Sequence, residues 1–414
     1  MNELFCLIVG SGISGLTLAN LLVKQDILLI EQDDELGGAK SYLNFAASNS
    51  SFQQLANIKD DKFYDDLISY STNYADFTLL KELSEKSAQA TQLLKSFGVE
   101  FELAILNSLN HSVPRELHPL KNAKESVINP LINRLLSKNV NILTKAKLID
   151  FDNGIASILH KDEIIKIKVK NIAFCTGGFA NDKEFIKIHY PLAYYAKTMS
   201  KNNSNSLKIL LKNGAIPTQL SLMRFAFVLP MDIFKYGILI NSDFKRFVRE
   251  DSSRQDLAIA ILNEIKNNKL VKLLLDNHGI NYINDTSIFY KYYSLEEIDK
   301  RLINCVDEYN SYFSNRIDKF GKNLNNISIK AINKPMFYLA NVDVYLNYTL
   351  GGVKSDIFAR VVDIDTNTAK NNMFAIGEVS SMFGEARLSG AASIACVVFA
   401  MNASNFILEN KFNN

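Results

Sequence analysis

The sequence predicts an α/β fold in which a Rossmann-like dinucleotide-binding domain is interrupted by an inserted α+β domain. Two observations lead to this prediction. A glycine-rich turn, Gly10-x-Gly12-x-x-Gly15, directly follows the apolar run Leu4–Val9, and glycine-rich turns return near the end of the chain. Between them tyrosine, phenylalanine, lysine and asparagine become frequent and the βαβ rhythm fades. The predicted boundaries are 1–220 and 345–414 for the two parts of the nucleotide-binding domain and 221–344 for the insertion.

The N-terminal segment has the pattern of a βαβ unit that binds a dinucleotide. Its strand, helix and second strand are predicted at Leu4–Val9, Leu16–Lys24 and Asp26–Glu31. Gly10 permits a tight turn, Gly12 lets backbone N–H groups approach a pyrophosphate, and Gly15 lets helix and strand pack closely. The helix N-terminus favours the phosphates because it carries a partial positive charge. Glu31 ends the second strand, where it is placed to bind a ribose hydroxyl.

Composition excludes several classes of protein. The 414 residues are enough for two to three domains, and a net charge of +2 offers no basis for binding nucleic acid or an acidic membrane. The 4 cysteines form no CxxC pair, which argues against a disulfide scaffold, a structural zinc site or an iron–sulfur cluster, and no metal site is expected. The N-terminus lacks a basic region, so we expect a core strand there and not a signal peptide, and a reduced, cytoplasmic compartment.

The remaining elements are predicted from periodicity and from turn residues. Helices are expected within Asp60–Gly98 and at Asn122–Leu136, Leu207–Lys212, Leu257–Lys266, Leu295–Phe313 and Ser389–Phe406. Short strands are expected near Val140–Leu143 and Ile164–Val169, whereas Val99–Ser112 has no regular pattern. A further buried strand ends in the pair Gly177 and Gly178, a second place where the backbone approaches something closely. His111 and His118 are predicted to be loop or packing residues.

Five motifs in this order resemble one flavoprotein superfamily. They are GSGISG with Glu31, Gly37–Ser41 with Asn49, Cys175-Thr-Gly-Gly-Phe179, Ile376-Gly-Glu378 and Gly384-Glu-Ala-Arg-Leu-Ser-Gly390. The chain is identified as a member of the superfamily of soluble fumarate reductases, succinate dehydrogenase flavoprotein subunits, L-aspartate oxidases and ketosteroid dehydrogenases, of the FAD-binding domain 2 type. The resemblance covers nearly the whole chain. It implies a GR2-type FAD-binding domain, with the inserted domain as a cap.

The same resemblance implies which residues bind FAD. They are Gly10, Gly12, Ser14, Gly15, Glu31, Gly38, Ser41, Asn49, Thr176, Gly177, Gly377, Glu378, Ser389 and Gly390. Glu378 is expected at the ribityl chain, and the helix after Gly390 is expected to point at the flavin. Members that bind FAD covalently do so through a histidine shortly after the glycine pair. Ser41–Ser50 contains no histidine, so we expect FAD to be held non-covalently.

The resemblance also implies an arginine as catalytic acid. Ile240–Leu262 matches the family's arginine-bearing segment and places Arg254 on the proton donor. Arg387 falls on a second arginine that binds a substrate carboxylate. Glu250 and Asp256 flank Arg254 in the sequence and are candidates for orienting it, and Glu250 is counted with the two arginines as a catalytic residue. The implied reaction transfers a hydride between flavin N5 and one carbon of an activated C=C or CH–CH bond, while the arginine handles the proton at the adjacent carbon.

Two departures from the family pattern concern the substrate. Asn347 stands where the family has a carboxylate-binding histidine, and Leu229 stands in a segment where the family usually has a second one. A buried carboxylate without its donors costs several kcal/mol. We therefore predict that the substrate is not fumarate but an α,β-unsaturated acid or enone with at most one carboxylate, near Arg387.

Two alternatives remain open at the level of sequence. One is an amino-acid oxidase related to L-aspartate oxidase, which the missing histidines weaken. The other is a flavin-carrying electron-transfer subunit without a substrate site, against which the Arg254 segment argues. No haem, cluster or second nucleotide motif is recognisable, so electrons are expected from an external donor or a redox partner protein. The other expected partner is the small-molecule substrate, and no stable membrane insertion is expected.

Overall fold

The computed structural model describes residues 3–38, 43–108 and 110–410. The chain forms two compact units, each built from discontinuous segments. Unit 1 comprises Met1–Asp182, Ser200–Met223 and Tyr348–Asn414, and unit 2 comprises Lys183–Met199 and Arg224–Asn347. The segment 183–199 thus belongs to the inserted unit, although the sequence analysis assigned it to the nucleotide-binding part. The reason is a parallel pairing of Lys197 with Tyr345, which lies at the end of the insertion.

The described residues form ten α-helices. They are α1 (Ile13–Leu21), α2 (Ser51–Leu55), α3 (Phe63–Ser71), α4 (Phe77–Ser96), α5 (Asn129–Ser137), α6 (Lys183–His189), α7 (Asn205–Lys212), α8 (Arg254–Lys266), α9 (Arg301–Ser311) and α10 (Ala391–Glu409). A π-helical turn, Lys124–Ile128, precedes α5. Short 3₁₀ turns occur at Pro191–Tyr195, Met231–Tyr236 and Gly279–Tyr282.

The described strands number twenty. They are β1 (Leu4–Val9), β2 (Ile27–Ile30), β3 (Phe45–Ala46), β4 (Phe101–Leu106), β5 (Glu116–Pro119), β6 (Asn141–Leu143), β7 (Ala146–Asp152), β8 (Ile155–His160), β9 (Glu163–Phe174), β10 (Lys197–Thr198), β11 (Pro217–Thr218), β12 (Met223–Ala226), β13 (Ile238–Asn241), β14 (Val271–Asp276), β15 (Tyr290–Tyr292), β16 (Phe337–Asn341), β17 (Tyr345–Thr349), β18 (Gly352–Val353), β19 (Arg360–Val362) and β20 (Ala369–Ala375).

Unit 1 is organised around a mainly parallel sheet. Its strand order is β19-β20-β9-β1-β2-β6, and the long strand β9 also pairs with the antiparallel hairpin β7–β8. β20, β9, β1, β2 and β6 run parallel to one another. β1 is apolar throughout, as expected for a parallel strand covered on both faces. A second sheet, β3-β5-β4, is antiparallel. The structure confirms the predicted α/β fold with an inserted α+β unit.

Helix α10 is the centre of the unit 1 core. It packs against α1 and α4, and most of its side chains are buried. Among the described residues it is the helix long and apolar enough to cross a membrane, but 67% of its most apolar window lies inside the protein. Its hydrophobicity is therefore that of a core helix, which is hydrophobic on all sides because it is covered on all sides.

Unit 2 has its own sheet and core. The antiparallel sheet β13-β14-β16-β15 carries Leu274 and Leu339 into a cluster that also contains Leu302 and Val306 from α9. The segment 191–195 packs on α8 within the same unit. α8 therefore lies between this turn and the strand β14, which it also contacts.

The predicted elements differ from the observed ones mainly at their ends. β1 has the predicted bounds, but α1 begins at Ile13 and not at Leu16, and α8 begins at Arg254 and not at Leu257. The first turn of α1 contains Ser14 and Gly15 and that of α8 contains Arg254, Gln255 and Asp256, so apolar periodicity marks mainly the later turns. Strand β4 was missed because it exposes Leu103 and Leu106, which breaks the alternation that identifies a half-buried strand.

Candidate functional site

The glycine-rich loop after β1 has the geometry that its sequence predicts. Gly10 has a φ of 98°, and a Cβ atom there would lie 2.6 Å from the Cys175 carbonyl oxygen. A Cβ at Gly15 would lie 1.9 Å from the Gly10 oxygen, so both positions require glycine. At Gly12 the nearest atom to such a Cβ is the Cys175 oxygen at 3.9 Å. The space above Gly12 is therefore open, as a bound pyrophosphate requires.

The N-terminus of α1 is open to an anion. Gly12 is its N-cap residue, with extended backbone, and no side chain caps the first turn. The N–H groups of that turn therefore have room for phosphate oxygens. Ser14, in the same turn, hydrogen-bonds Cys175 at the end of β9. Gly38, with a φ of 53°, lies against the loop, since its Cβ would be 3.1 Å from the Gly12 Cα. These residues fit the diphosphate of FAD.

Glu31 lies beside the same loop, at the end of β2. Its Oε2 accepts hydrogen bonds from the Ser11 N–H at 2.9 Å and from the Ser11 hydroxyl at 2.6 Å. Its Oε1 accepts one from the Asp33 N–H at 3.1 Å. The Ser11 hydroxyl in turn accepts from the Gly37 N–H at 3.0 Å. Ser11, which the sequence analysis did not single out, therefore connects the expected ribose-binding acid to the 37–38 turn.

Predicted residues from three distant motifs meet at the carboxyl ends of the parallel strands. Thr176 and Gly177 follow β9, and a Cβ at Gly10 would lie 3.1 Å from the Thr176 Cα. Gly377 follows β20 and has a φ of 89°, and its Cβ would lie 3.4 Å from the Ser14 Oγ. Open α/β sheets bind ligands at this edge. The structure thus brings the first, third and fourth motifs together.

Glu378 is a buried acid tied to two neighbouring backbone segments. Its Oε1 accepts hydrogen bonds from the Thr349 N–H at 2.8 Å and from the Thr349 hydroxyl at 2.9 Å. A Cβ at Gly178 would lie 2.3 Å from that oxygen, so the Gly177–Gly178 pair lets the backbone pass over the carboxylate. Burial raises the pKa of Glu378, while the Thr349 hydrogen bonds and the charge of Arg387 act in the opposite direction.

The guanidinium of Arg387 stacks on an aromatic ring and has a hydrogen-bond donor without an acceptor among the described residues. Its Cζ lies 4.3 Å from the centroid of the Tyr348 ring. Its Nε is buried and has no hydrogen-bond partner within the described part of the chain. A planar guanidinium held by stacking, with a donor still free, suits a carboxylate that binds with both oxygens. The geometry of Arg387 is therefore that of an anion-binding residue.

A buried cluster supports the loop that leads into α10. His111 donates from Nε2 to the Ser389 carbonyl oxygen at 3.1 Å and accepts at Nδ1 from the Arg115 Nη1 at 2.9 Å, an assignment of the neutral tautomer that fits both partners. Arg115 is fully buried and binds Asp60 through Nε at 2.7 Å. Asp66 accepts from the same guanidinium. We call these four residues the Arg115 cluster.

The charges of the Arg115 cluster shift the pKa values of its members. Burial, and then the charge of Arg115, hold the pKa of His111 below 6.5. Burial works to raise the pKa of Asp60 and Asp66, but their hydrogen bonds lower both below 3.8. Sequence reasoning missed this cluster because its members are dispersed over more than fifty positions without a spacing rule. It did predict a packing role for His111, and the contacts are of that kind.

In unit 2, Arg254 is the first residue of α8 and is half-buried. Ser253 caps the helix by accepting from the Asp256 N–H at 3.2 Å, and its hydroxyl donates to the Asp256 carboxylate at 2.7 Å. This is an N-cap of the kind that stabilises a helix start, with a further hydrogen bond between the two side chains. Asp256, which the sequence placed as a possible partner of Arg254, thus has a structural role in the cap.

Glu250 requires a correction. The sequence analysis counted it among the catalytic residues, but its carboxylate is 1% exposed and faces away from solvent. It accepts from the Arg246 Nε and Nη2, both at 2.7 Å, and from the Leu239 N–H at 3.0 Å. The Lys322 Nζ lies 3.3 Å from its Oε2. These are the contacts of a structural ion pair and not of a group that meets substrate.

Glu250 belongs to a second buried cluster, which we call the Arg246 cluster and which consists of Arg246, Glu250, Asp318 and Lys322. Arg246 also donates to both oxygens of Asp318. Its Cζ lies 4.9 Å from the Tyr309 ring centroid. The hydrogen bonds to Arg246 hold the pKa of Asp318 below 3.8 in spite of burial, which acts the other way. Burial lowers the pKa of Lys322.

The remaining predicted residues have mixed outcomes. Ser41 lies outside the described residues. The exposed Asn49 has a φ of 53° and donates from its side chain to the Asp60 carbonyl oxygen at 2.8 Å. That is the geometry of a turn residue, so its assignment to FAD rests on the resemblance alone. Leu229 is 4% exposed, and the side-chain oxygen of Asn347 is buried without a partner among the described residues.

The sequence and fold of this chain are similar to those of known FAD-binding proteins. Two curated relatives are the acrylate reductase flavoprotein subunit of Shewanella woodyi, 24% identical over 98% of this chain and 92% of that protein, and fumarate reductase 1 of Saccharomyces cerevisiae, 24% identical over 98% of each. The fold is shared with the open conformation of a flavocytochrome c3 fumarate reductase, with a TM-score of 0.86 at 20% identity over 99% of this chain and 79% of that one. The sequence profile described as "FAD binding domain" matches residues 6–394. The chain therefore belongs to this family of FAD-binding proteins.

Proposed function

We propose that the protein is an FAD-dependent oxidoreductase that reduces the activated C=C bond of a small α,β-unsaturated monocarboxylic acid or enone. The observation that carries the proposal is the guanidinium of Arg387, stacked on Tyr348 with a buried donor still free. This guanidinium is already partly removed from water although no anion is bound to it. A substrate carboxylate would supply the missing hydrogen-bond acceptor and the opposite charge. The fumarate and acrylate reductases among its relatives support the reaction class.

The two departures from the family pattern restrict the substrate to one carboxylate. Leu229 is buried and apolar, so it offers no donor to an anion. Asn347 has a neutral amide, whose side-chain oxygen is buried without a partner among the described residues, in place of a histidine that can carry a positive charge. A dicarboxylate such as fumarate would therefore lack both histidines of the family pattern for its second charge. A relative whose name is acrylate reductase supports the same conclusion, since acrylate has a single carboxylate.

The proton is proposed to come from Arg254. FAD, when bound, supplies the hydride to one carbon of the double bond, and the adjacent carbon then needs a proton. An arginine has a very high pKa in water, so it serves as an acid only where its guanidinium is fixed against developing negative charge. The capped start of α8 holds the backbone of Arg254 in one position, because Ser253 and Asp256 close the first turn. Such pre-positioning is what this role requires.

We further propose that FAD is bound non-covalently and that an external redox partner or free reduced cofactor supplies the electrons. The absence of histidine from residues 41–50 supports the first point. Acid precipitation of the yellow protein should leave FAD in the supernatant. Flavin that stays with the precipitate would contradict non-covalent binding.

The substrate is tested by anaerobic re-oxidation of the photoreduced, FAD-loaded protein. Acrylate, crotonate and a small enone are compared with fumarate, and flavin absorbance is followed in a stopped-flow instrument. We expect rapid re-oxidation by at least one monocarboxylate or enone and slow re-oxidation by fumarate. Rapid turnover of fumarate would refute the substrate class. Rapid re-oxidation by oxygen with an amino acid as reductant would instead support an oxidase.

The role of Arg254 is tested by Arg254→Lys, with Arg249→Lys as the control. Arg249 is close in sequence, half-exposed and paired with Asp251. If Arg254 donates the proton, the first variant keeps FAD but loses turnover by roughly 10²–10⁴-fold, the usual contribution of a positioned acid. The control should retain turnover. A flavin-carrying electron-transfer subunit would be indifferent to both changes.

A further inference from the structure

The strand β5 carries a buried carboxylate with an unused oxygen. Glu116 is 1% exposed. Its Oε1 accepts hydrogen bonds from the Asn44 side chain and from the His118 Nε2, the latter at 3.0 Å. Its Oε2 is buried and has no partner within the described ranges 3–38, 43–108 and 110–410. A buried acceptor without a donor is costly, and more so when it is charged, so an unused oxygen in this position indicates a bound group that donates.

The side chain of Glu116 lies on the sheet face that packs against the N-terminus of α10. Glu116 is the direct cross-strand partner of Ala46 in β3, and directly opposed residues present their side chains on the same face. Ala46 donates its N–H to the Gly390 carbonyl oxygen at 3.2 Å. A Cβ built on Gly390 would lie 3.1 Å from the Ala46 Cβ. The carboxylate and the start of α10 are therefore neighbours.

The start of α10 provides donors next to this acceptor. Gly390 is the N-cap residue, with a φ of 72°, and no side chain caps the 19-residue helix. The positive end of the helix therefore favours a carbonyl oxygen or an anion. A ligand suited to both features needs a carbonyl oxygen next to an N–H group. The pyrimidine edge of a flavin has this arrangement, with N3–H between the C2 and C4 carbonyls.

We propose that the Glu116 Oε2 accepts a hydrogen bond from flavin N3–H, and that Glu116 thereby sets both the affinity for FAD and its redox potential. The inference rests on FAD binding as proposed above, but not on the identity of the substrate. Asn44 and His118 are positioning residues, since they hold the other oxygen of the carboxylate and leave Oε2 directed at the ligand. A negative charge at the pyrimidine edge opposes the added electrons, so Glu116 lowers the potential of the flavin.

The first test compares FAD with N3-methyl-FAD on apoprotein of the wild type, of Glu116→Gln and of Glu125→Gln. Glu125 is the control, since it is an exposed acid of the same unit in an exposed ion pair with Lys121. We expect Glu116→Gln to bind FAD about tenfold more weakly, the size of one hydrogen bond to a charged group. The wild type should prefer FAD to the N3-methyl analogue, and Glu116→Gln should lose most of that preference. The midpoint potential should rise in Glu116→Gln and stay unchanged in the control.

A second readout uses only the wild type, in case Glu116→Gln does not fold. In protein loaded with FAD that is ¹⁵N-labelled at N3, the N3–H proton should be visible by NMR and exchange slowly with solvent. Fast exchange, or an unchanged affinity and potential in Glu116→Gln, would overturn the inference and assign Oε2 to an ordered water. Such a result would leave turnover of unsaturated acids untouched. Failure of the wild type to take up FAD would overturn both proposals.

Discussion

Each unit buries one arginine between two carboxylates, and the two clusters differ in how their charges are balanced. In unit 1, Arg115 is the one arginine or lysine paired with Asp60 and Asp66 among the described residues, and the fourth member is a histidine whose pKa is lowered by burial. In unit 2, Arg246 and Lys322 together balance Glu250 and Asp318. Within the part of the chain that the structure describes, no second cation would remain for Asp60 and Asp66 if Arg115 were lost, whereas Lys322 would remain for Glu250 if Arg246 were lost. This difference predicts how each cluster responds to mutation and to pH.

The largest effect is expected for Arg115→Met. The substitution leaves the buried Asp60 and the partly buried Asp66 without their cation, and breaking a buried pair in this way costs about 3–5 kcal/mol of the free energy of unfolding. Urea unfolding followed by circular dichroism measures it. Arg301→Met is the control, since Arg301 is 62% exposed in a pair with Asp299 and should change stability by less than about 1 kcal/mol. A loss from Arg115→Met no larger than that of the control would contradict the role assigned to the cluster.

A smaller loss is expected for Arg246→Met. Here Glu250 keeps Lys322 and the Leu239 N–H, and Asp318 keeps the N–H groups of Phe320 and Lys322. We expect a loss of about 2–3 kcal/mol, measured by the same unfolding experiment. If Arg246→Met were as destabilising as Arg115→Met, the second cation would not compensate and the comparison would fail.

A slope in stability with pH is expected from unit 1. The pKa of His111 is lowered by burial, so the unfolded chain binds a proton before the folded one does as the pH falls. Stability is therefore lost as the pH falls below 6.5, at most about 1.4 kcal/mol per pH unit for one proton. Unfolding curves between pH 8 and pH 5 should show this slope in the wild type and a weaker slope in His111→Gln. The pKa of His189 is also lowered by burial, but this residue is less buried, so His189→Gln should remove a smaller part.

Acid should then affect both clusters together. The pKa values of Asp60, Asp66 and Asp318 are all below 3.8 in the folded protein, so their contribution is present above that pH and is lost as the pH falls through the folded values. The window between pH 6.5 and pH 4 thus distinguishes the two clusters, since the Arg115 cluster contains a histidine and the Arg246 cluster does not, and the window below pH 4 does not distinguish them. A slope unchanged by His111→Gln in the upper window would remove the distinction.

The smallest effect is expected for Lys322→Met. Its Nζ donates to the Gly237 carbonyl oxygen at 2.6 Å, but burial disfavours its charge, and Glu250 keeps two hydrogen bonds from Arg246. Because burial already disfavours the charge of Lys322 and Glu250 keeps its partner Arg246, we expect a loss of about 1 kcal/mol, the net contribution of one hydrogen bond. A loss comparable to that of Arg246→Met would show that both cations are required.

The nucleotide site was the part most readily predicted from sequence. Gly10 is needed for a tight turn, Gly12 for the close approach of a phosphate to the backbone, and Gly15 for the close packing of α1 on the loop. Each of these requirements is set by residues only a few positions apart in the sequence. The spacing to Glu31 was informative because one helix and one strand bridge a nearly constant length. The family resemblance named the residues after β9 and β20 together, and they are neighbours in the structure because parallel strands end at a common edge.

The contacts of Glu250 show where such reasoning fails. Its place four residues before Arg254 made an interaction between the two plausible, but its partners are Arg246, Leu239 and Lys322, the last more than seventy residues away. Glu116 was missed for a related reason. Glu116 is followed by the apolar Leu117 in a four-residue strand, and an acid next to an apolar residue is the usual pattern of a strand with one face in solvent. Only the structure shows that Glu116 is buried.

By itself, therefore, the sequence determined the class of fold, the location of the nucleotide loop and the insertion. These features depend on short-range geometry, which glycine, apolar periodicity and spacing encode directly. The two arginines proposed to act on substrate were implied by the family resemblance and not by spacing. Only the tertiary structure decided which charged residues are buried and with whom they pair. Asp60, Asp66, His111 and Arg115 come together through packing of distant segments, and the energy of a buried charge depends on every neighbour that replaces its water.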